Sequence, residues 1–345
     1  MKRKNNINID SLFFSKGSDF LEIYLPKQHN ASQNTKKSYK YSLTVFRRYV
    51  NNVMHIRTIN FRFEDCTYDF LLDYRNYLHD DKHLSEKTVN NRIAAIKSYV
   101  NYAAARDVSI QQYAFAIHQV PFYDVPKTQQ PIIEDITSVA TMLSMPPNTK
   151  KGLRDKIIMS VLFDTGMRLQ ELTMLKMRDI DFEDDKILIH IHGKRKKERS
   201  DTLCEKTSML VKQYINEYHP RINPDASFIY TIVKGEQGAM STRNVQKLIQ
   251  RYANKAKAMG CKLPDSVSPH TLRRTRGTFL YRDGIPLESI AIKFGHADPK
   301  TTKAHYTSPS NDQLREIANR HNNVIPDEEP IWTEDEDEMS IILGF

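Results

Sequence analysis

Three short stretches of this chain carry side chains whose chemistry suits a phosphate group or proton transfer near neutral pH. In Thr165-Gly-Met-Arg-Leu-Gln-Glu-Leu172, an apolar helix expected over 156–163 is stopped by Gly166, and a second helix begins near Arg168. An arginine at such a junction can point into a cleft, and Glu171, three residues on, lies within reach of the same helix face to fix the guanidinium. Taken alone, an Arg-Glu pair one turn apart is far more often a surface salt bridge. His270-Thr-Leu-Arg273 sets an imidazole and a guanidinium on one face of a helix. A guanidinium offers a phosphate two parallel charge-assisted hydrogen bonds, and an imidazole can shuttle protons. Gly295-His296-Ala-Asp-Pro-Lys-Thr-Thr-Lys-Ala-His-Tyr306 places another histidine one short helix ahead of a tyrosine. Each group by itself is equally readable as a satisfied structural side chain.

The elements that must position these groups can be read from periodicity and turn chemistry. Residues 1–14 read as a basic arm, and 15–119 as a helical region. Ser85 with Thr88 suits a helix start, followed by apolar Val89, Ile93, Ile96 and Val100; Tyr39, Leu43, Phe46 and Val50 form a similar stripe. Lys36, Lys37, Lys40, Arg47 and Arg48 give the earlier helix a strongly basic face, and Lys87, Arg92 and Lys97 lie along the later one. Such faces are usually just solvated. Residues 120–131, with Pro121, Pro126 and Pro131 and no periodicity, read as a linker. Beyond it one clear strand alternates Ile187, Ile189 and Ile191 with Leu188, His190 and His192. The run Gly193-Lys-Arg-Lys-Lys-Glu-Arg199 then makes the basic tip of a hairpin whose second strand is expected over Ser200 to Cys204. His190 and His192 share a strand face, but no third metal ligand is apparent nearby, so they read as surface histidines. Further helices are expected over 205–218 and 241–259. Ser268-Pro269 opens another that Gly284 ends, 286–294 forms the next, and Asp298-Pro299 starts a short last one.

Taken together and in this order, Thr-Gly-Met-Arg-x-x-Glu-Leu, a Gly-Lys hairpin, His-x-x-Arg, Gly-His and a closing Tyr resemble the tyrosine recombinase family, also called the phage integrase family. The resemblance of the motifs covers roughly residues 157 to 307, and the preceding helical region looks like that family's core-binding domain. It implies a mainly α fold: a helical, SAM-like core-binding domain over 15–119, then a mixed α/β, mostly helical catalytic domain with a small β-hairpin sheet over 132–325. It also implies the catalytic set Arg168, Lys194, His270, Arg273, His296 and Tyr306, with Glu171 behind Arg168. In that reading Tyr306 forms a 3'-phosphotyrosyl bond to DNA, the two arginines neutralise the non-bridging oxygens, and Lys194 protonates the leaving 5'-oxygen. His270 takes the phenolic proton, and His296 hydrogen-bonds the phosphate. No cofactor, metal or ATP is implied. Departures from the family pattern are visible. Tyr306 follows His296 by ten residues, one more than the commoner spacing, yet it is the only tyrosine after Tyr281. The hairpin reads Gly-Lys-Arg, so Lys196 or Lys197 could stand in for Lys194, with Arg195 beside them. His305, next to the expected nucleophile, reads as an exposed histidine.

Composition agrees with a nucleic-acid partner. The 345 residues suggest two domains at roughly 150 residues each. Hydrophobic, charged and aromatic contents of 39%, 27% and 10% suit a soluble globular chain rather than a disordered one. No apolar run of about 18 residues exists, so no membrane span is expected, and the amino terminus lacks the apolar stretch of a signal peptide. Three scattered cysteines, Cys66, Cys204 and Cys261, fit neither a disulfide framework nor a zinc cluster, which favours the cytoplasm and, for a DNA enzyme, the nucleoid. The net charge of +9 understates how basic the body is, because the tail over 326–345 carries eight acids and neither Lys nor Arg. A field of this sign attracts polyanions. With only about 15 residues ahead of the first helical pattern, the family resemblance points to a simple-site, Xer-like or transposon subclass without an arm-binding domain. The implied partners are double-stranded DNA with inverted-repeat core sites, three further copies of the chain in a synaptic tetramer, and host or element-encoded accessory proteins. A type IB topoisomerase and a non-catalytic DNA-binding protein of the same fold are the competing readings.

Overall fold

In a computed structural model, the structure describes residues 9–28, 31–126, 130–183, 186–193, 198–295, 340–341 and 343–344. It divides into two compact units, Met1–Thr128 and Gln129–Phe345.

The first unit is helical. α1 (Gly17–Asp19) widens into a π-helical segment, Phe20–Gln28, and is followed by α2 (Gln33–Asn52), α3 (Tyr68–Asn76), α4 (Glu86–Ala104) and α5 (Gln111–Gln119). α2 starts because the Ser32 hydroxyl accepts the Thr35 N–H at 3.2 Å, and it buries Leu43, Phe46 and Val50 as the stripe predicts. Val89, Ile93, Ile96 and Val100 of α4 are likewise buried, over a core rich in rings: Phe13, Phe20, Phe46, Phe61, Tyr74 and Tyr99. Phe13 is fully buried in that cluster, its ring 5.0 Å from Phe63 and 5.5 Å from Tyr99. Residues 9–14 therefore belong to the folded unit rather than to the expected basic arm, because an aromatic side chain gains more from burial than from a solvated arm. The stretch expected to start the linker is also tied down: Asn90 bonds the Tyr123 backbone in both directions, and Arg75 donates to the Pro121 carbonyl.

The second unit contains α6 (Ile136–Ser144), α7 (Lys150–Thr165) and α8 (Leu169–Met174), then β1 (Ile180–Glu183), β2 (Lys186–His192) and β3 (Glu198–Thr202). α9 (Glu205–Tyr218), β4 (Tyr230–Val233), β5 (Glu236–Ala239), α10 (Thr242–Ala258), α11 (Pro269–Arg282) and α12 (Leu287–Phe294) complete it. α7 is the central helix: Ile157, Ile158, Met159, Val161 and Leu162 are all buried, and it packs against α6, α8, α9, α10 and α11. β1, β2 and β3 form an antiparallel sheet in which Ile187, Ile189 and Ile191 face the core. β3 begins at Glu198, two residues before the expected start, because the register carries Glu198 opposite His192 and Arg199 opposite Ile191. Two strand features were not anticipated: β1, and the β4–β5 hairpin, whose turn places Lys234 at φ 52° and Gly235 at φ 83°. Four-residue strands carry too little alternation to be read from sequence, and only the Lys-Gly turn marks this one. Mainly α with a small antiparallel sheet, the fold is the class the sequence predicts. Among the described residues no helix is long and apolar enough to cross a membrane.

Candidate active site

The site begins where α7 stops. Gly166 sits at φ +60°, and a Cβ there would lie 2.3 Å from the Phe294 ring, so both the left-handed turn and the close approach demand glycine. The turn delivers Arg168 to the position just before α8. Glu171, on the first turn of that helix, accepts the Arg168 backbone N–H at 2.8 Å with one carboxylate oxygen and Arg168 Nη1 at 2.8 Å with the other. The expected Arg168–Glu171 pairing is thus present, and it is buried on the carboxylate side, not a surface bridge.

The other anchor is the C-terminus of α12, which Gly295 ends in a left-handed conformation at φ +62°. Three consecutive carbonyls there each accept from a different arginine. Arg199 Nε reaches Lys293 O at 3.0 Å, Arg273 Nη2 reaches Phe294 O at 2.6 Å, and Arg168 Nη2 reaches Gly295 O at 3.2 Å. The last carbonyls of a helix lack partners within it and carry the negative end of its dipole, which makes them natural seats for guanidinium groups. Arg273 also donates to Gly166 O at 2.5 Å and lies over the Phe294 ring, 4.8 Å from its centroid. One turn of α11 earlier stands His270, exposed, on the helix that Ser268 caps and Pro269 opens.

Arg273 is only 5% exposed, whereas the Arg168 side chain is 38% exposed and, among the described residues, three of its five N–H groups meet no acceptor. Arg273 thereby forms a fixed floor and Arg168 an accessible fork. Glu171 is buried, which alone would raise its carboxyl, but Arg199, the Arg168 N–H and the Arg168 guanidinium outweigh that and hold it below the usual carboxylate range. Arg199 is the residue that sequence reasoning missed: it grips Glu171 with Nη1 at 3.3 Å and Nη2 at 2.8 Å. Within the charged run Lys194 to Arg199 nothing local singles it out; its strand parity with buried Ile187, Ile189 and Ile191, read through the hairpin, was the usable signal.

Arg168, Glu171 and Arg273 are therefore brought together, with His270 on the same helix as Arg273. Lys194, Arg195, Lys196, Lys197, His296 and Tyr306 lie outside the described residues. So do His305, the expected short helix at Asp298 and most of the acidic tail. His190 and His192 find side-chain partners. His190 bonds Asp181 at 2.7 Å and Ser200 at 2.9 Å; His192 bonds Asp179 at 3.1 Å and Glu198 at 3.3 Å.

In the first unit, Lys37, Lys40, Arg47, Arg48 and Lys87 are exposed as expected. Lys36 is partly covered and ion-paired with Glu22, and Arg92 is half-buried over Tyr41 at 5.2 Å. Lys97 is a correction. It is 6% exposed, its ammonium donating to His118 O at 3.0 Å and Val120 O at 2.5 Å, so it closes the end of α5 instead of facing a ligand. Sequence position explains this: Lys97 stands four residues after Ile93 and three before Val100, on the core face.

Three arginines are thus fixed on one helix end, one of them left accessible, which gives this unit a positively charged site of a kind that suits an anion such as a phosphate. Residues 135–313 match the phage integrase family, and residues 18–118 match the phage integrase SAM-like domain. The chain belongs to the phage integrase family, the family its motifs resemble, and is a tyrosine-type site-specific DNA recombinase. It is 26% identical over 294 residues to a tyrosine recombinase XerC of Staphylococcus aureus (strain bovine RF122 / ET3-1), covering 85% of this chain and 92% of the relative. Its fold is similar to that of a XerH site-specific recombinase bound to palindromic difH substrate in a post-cleavage complex (TM-score 0.65, 22% identity, 86% of this chain and 83% of that one). A Tn1549 transposon integrase in complex with transposon right end DNA is also similar (TM-score 0.60, 18% identity, 90% and 98%).

Proposed function

We propose that this chain cuts and rejoins double-stranded DNA at paired inverted-repeat core sites of a mobile element, through a covalent link to Tyr306. The observation that carries the reading is the arginine pair: Arg168 and Arg273 share the C-terminal carbonyls of α12, so two guanidinium groups converge where a phosphate can be held. In the reaction the Tyr306 phenolic oxygen attacks phosphorus and the P–O5' bond breaks, leaving a 3'-phosphotyrosine and a free 5'-hydroxyl. His270 takes the phenolic proton, Lys194 supplies one to the departing 5'-oxygen, and His296 hydrogen-bonds a non-bridging oxygen as charge builds there. A 5'-hydroxyl from the partner duplex then reverses the step, so one diester is exchanged for another and no ATP is needed. The arginines supply the positive charge that a metal ion would otherwise bring.

The first unit would lie on the duplex by its exposed Lys37, Lys40, Arg47, Arg48 and Lys87, with Arg195, Lys196 and Lys197 adding contacts near the site, most of them to phosphate. The synaptic complex would hold four copies, with accessory proteins of the host or element directing the outcome. Nucleoid DNA is then the working location. The test uses a suicide duplex nicked near the crossover point, with EDTA present. A covalent adduct, and joined products only when two core sites are paired, are expected. Cleavage that needs magnesium, or dilute protein that relaxes any supercoiled plasmid, would contradict it.

A further inference from the structure

We propose that Arg199 is a positioning residue for cleavage: it sets the hairpin that leads to Lys194 in register with Arg168 and with the end of α12. The inference rests on the active-site reading above. All three guanidinium nitrogens are engaged by protein, Nε by Lys293 O at 3.0 Å and the two Nη atoms by the two oxygens of Glu171. The side chain is 13% exposed, so it does not present a fork to DNA as Arg168 does.

What it joins is specific. Glu171 stands between two arginines, with Arg168 on one side and Arg199 on the other, so the carboxylate relays the position of β3 to Arg168. Two residues along the same face of β3, Asp201 takes the Lys293 ammonium at 2.7 and 2.8 Å. β3 therefore grips the last turn of α12 twice, once through a carbonyl and once through an ammonium. Gly295 is part of the same fit, since a Cβ there would come within 3.0 Å of Arg199 Nη1. Arg199 pairs across the sheet with Ile191, and the next pair, Glu198 with His192, is the last before residues 193–197, which join the strands. A shift of β3 against α8 and α12 would thus move the ladder up to its last pair, His192 with Glu198, from which the chain runs on to Lys194. Lysine cannot replace this arginine, because a single ammonium lacks the planar fork that spans a carboxylate and a carbonyl together.

The test compares wild type, Arg199→Ala and Arg199→Lys in single-turnover cleavage of a suicide duplex, alongside DNA affinity and thermal melting. Two substrates are used: an ordinary phosphodiester, and one whose leaving 5'-oxygen is replaced by sulfur. In the second, phenolic attack breaks the P–S bond and a thiolate departs without a proton, so a misplaced Lys194 matters little. Both variants should cleave the ordinary substrate about 10- to 100-fold more slowly, with DNA affinity close to wild type. The sulfur substrate should restore most of that loss. Arg168→Ala should stay slow on both. If Arg199→Ala unfolds, Arg199→Lys keeps a buried cation and carries the test. Equal cleavage by wild type and Arg199→Lys, or an equal loss on both substrates, overturns the positioning role. Wild type that forms no adduct at all overturns the active-site reading itself.

Discussion

Replacing Glu171 by alanine probes the arrangement at its most enclosed point. The carboxylate accepts four hydrogen bonds, two from Arg168 and two from Arg199, and is 6% exposed. Its loss leaves the Arg199 guanidinium buried without the carboxylate that accepts from both of its Nη atoms. Breaking a buried pair from one side costs about 3–5 kcal/mol. Arg168 recovers water, its side chain being 38% exposed, which moves the expectation to the lower end, about 3 kcal/mol. At about 2–4 °C per kcal/mol for a unit of this size, the melting transition should fall by about 6–12 °C. Glu171→Gln keeps the volume and one acceptor oxygen and should lose about half as much. The effect carries a pH signature. Because the folded carboxyl is held below its ordinary 4.5, its stabilisation is complete above that pH and disappears as pH falls through the depressed value. The gap between wild type and Glu171→Gln should therefore be full at pH 6 and close in acid. Calorimetric or circular-dichroism melts from pH 3 to 7 read this directly. A Glu171→Ala protein that melts within about 2 °C of wild type at pH 6, or a gap independent of pH, would show that Glu171 is not the buried partner holding the two arginines.

Other expectations follow from the same geometry. Gly166→Ala forces a β-carbon into the Phe294 ring and an alanine into the left-handed region, and should cost about 2–4 kcal/mol in chemical denaturation. Arg168→Ala should slow single-turnover cleavage about 100- to 1000-fold while leaving DNA affinity nearly intact, as for removal of one charge-stabilising donor. Arg47→Ala should weaken DNA binding and lower the salt slope by about one unit, whereas Lys97→Ala should change neither and cost about 1–3 kcal/mol of stability; titrations over a salt series with parallel melts separate the two. His192 is raised above 6.5 chiefly by its hydrogen bond to Asp179, so its contribution is full below that pH and is lost as pH rises through the folded value. His192→Asn should flatten the pH dependence of melting between pH 6 and 8.

Much of the fold was legible because the decisive residues obey local rules. Gly166 and Gly295 end helices in left-handed turns, Ser268-Pro269 opens one, and the isoleucines of β2 alternate. The Arg168–Glu171 pairing could be read from a spacing of three. Arg199 was not read, because its partners lie 28 and 94 residues away and the residues just before it, Lys194 to Glu198, are all charged, which hid its strand parity. Lys97 was misread for the opposite reason: charge suggested the surface, while its place between Ile93 and Val100 put it in the core, where carbonyls at the end of α5 satisfy the ammonium. The β4–β5 hairpin escaped because Glu236-Gln-Gly-Ala239 has no strand propensity of its own and is held by pairing with Tyr230–Val233.

The proposed function turns on whether Tyr306 becomes joined to DNA. Wild type and Tyr306→Phe, each incubated with a nicked core-site duplex and run on a denaturing gel, test it most directly, with the adduct digested and its modified peptide sequenced by mass spectrometry. A covalent band in wild type only, with the nucleotide on the peptide containing Tyr306, is the predicted result. The same band from Tyr306→Phe, or a nucleotide on any other tyrosine, would contradict the account.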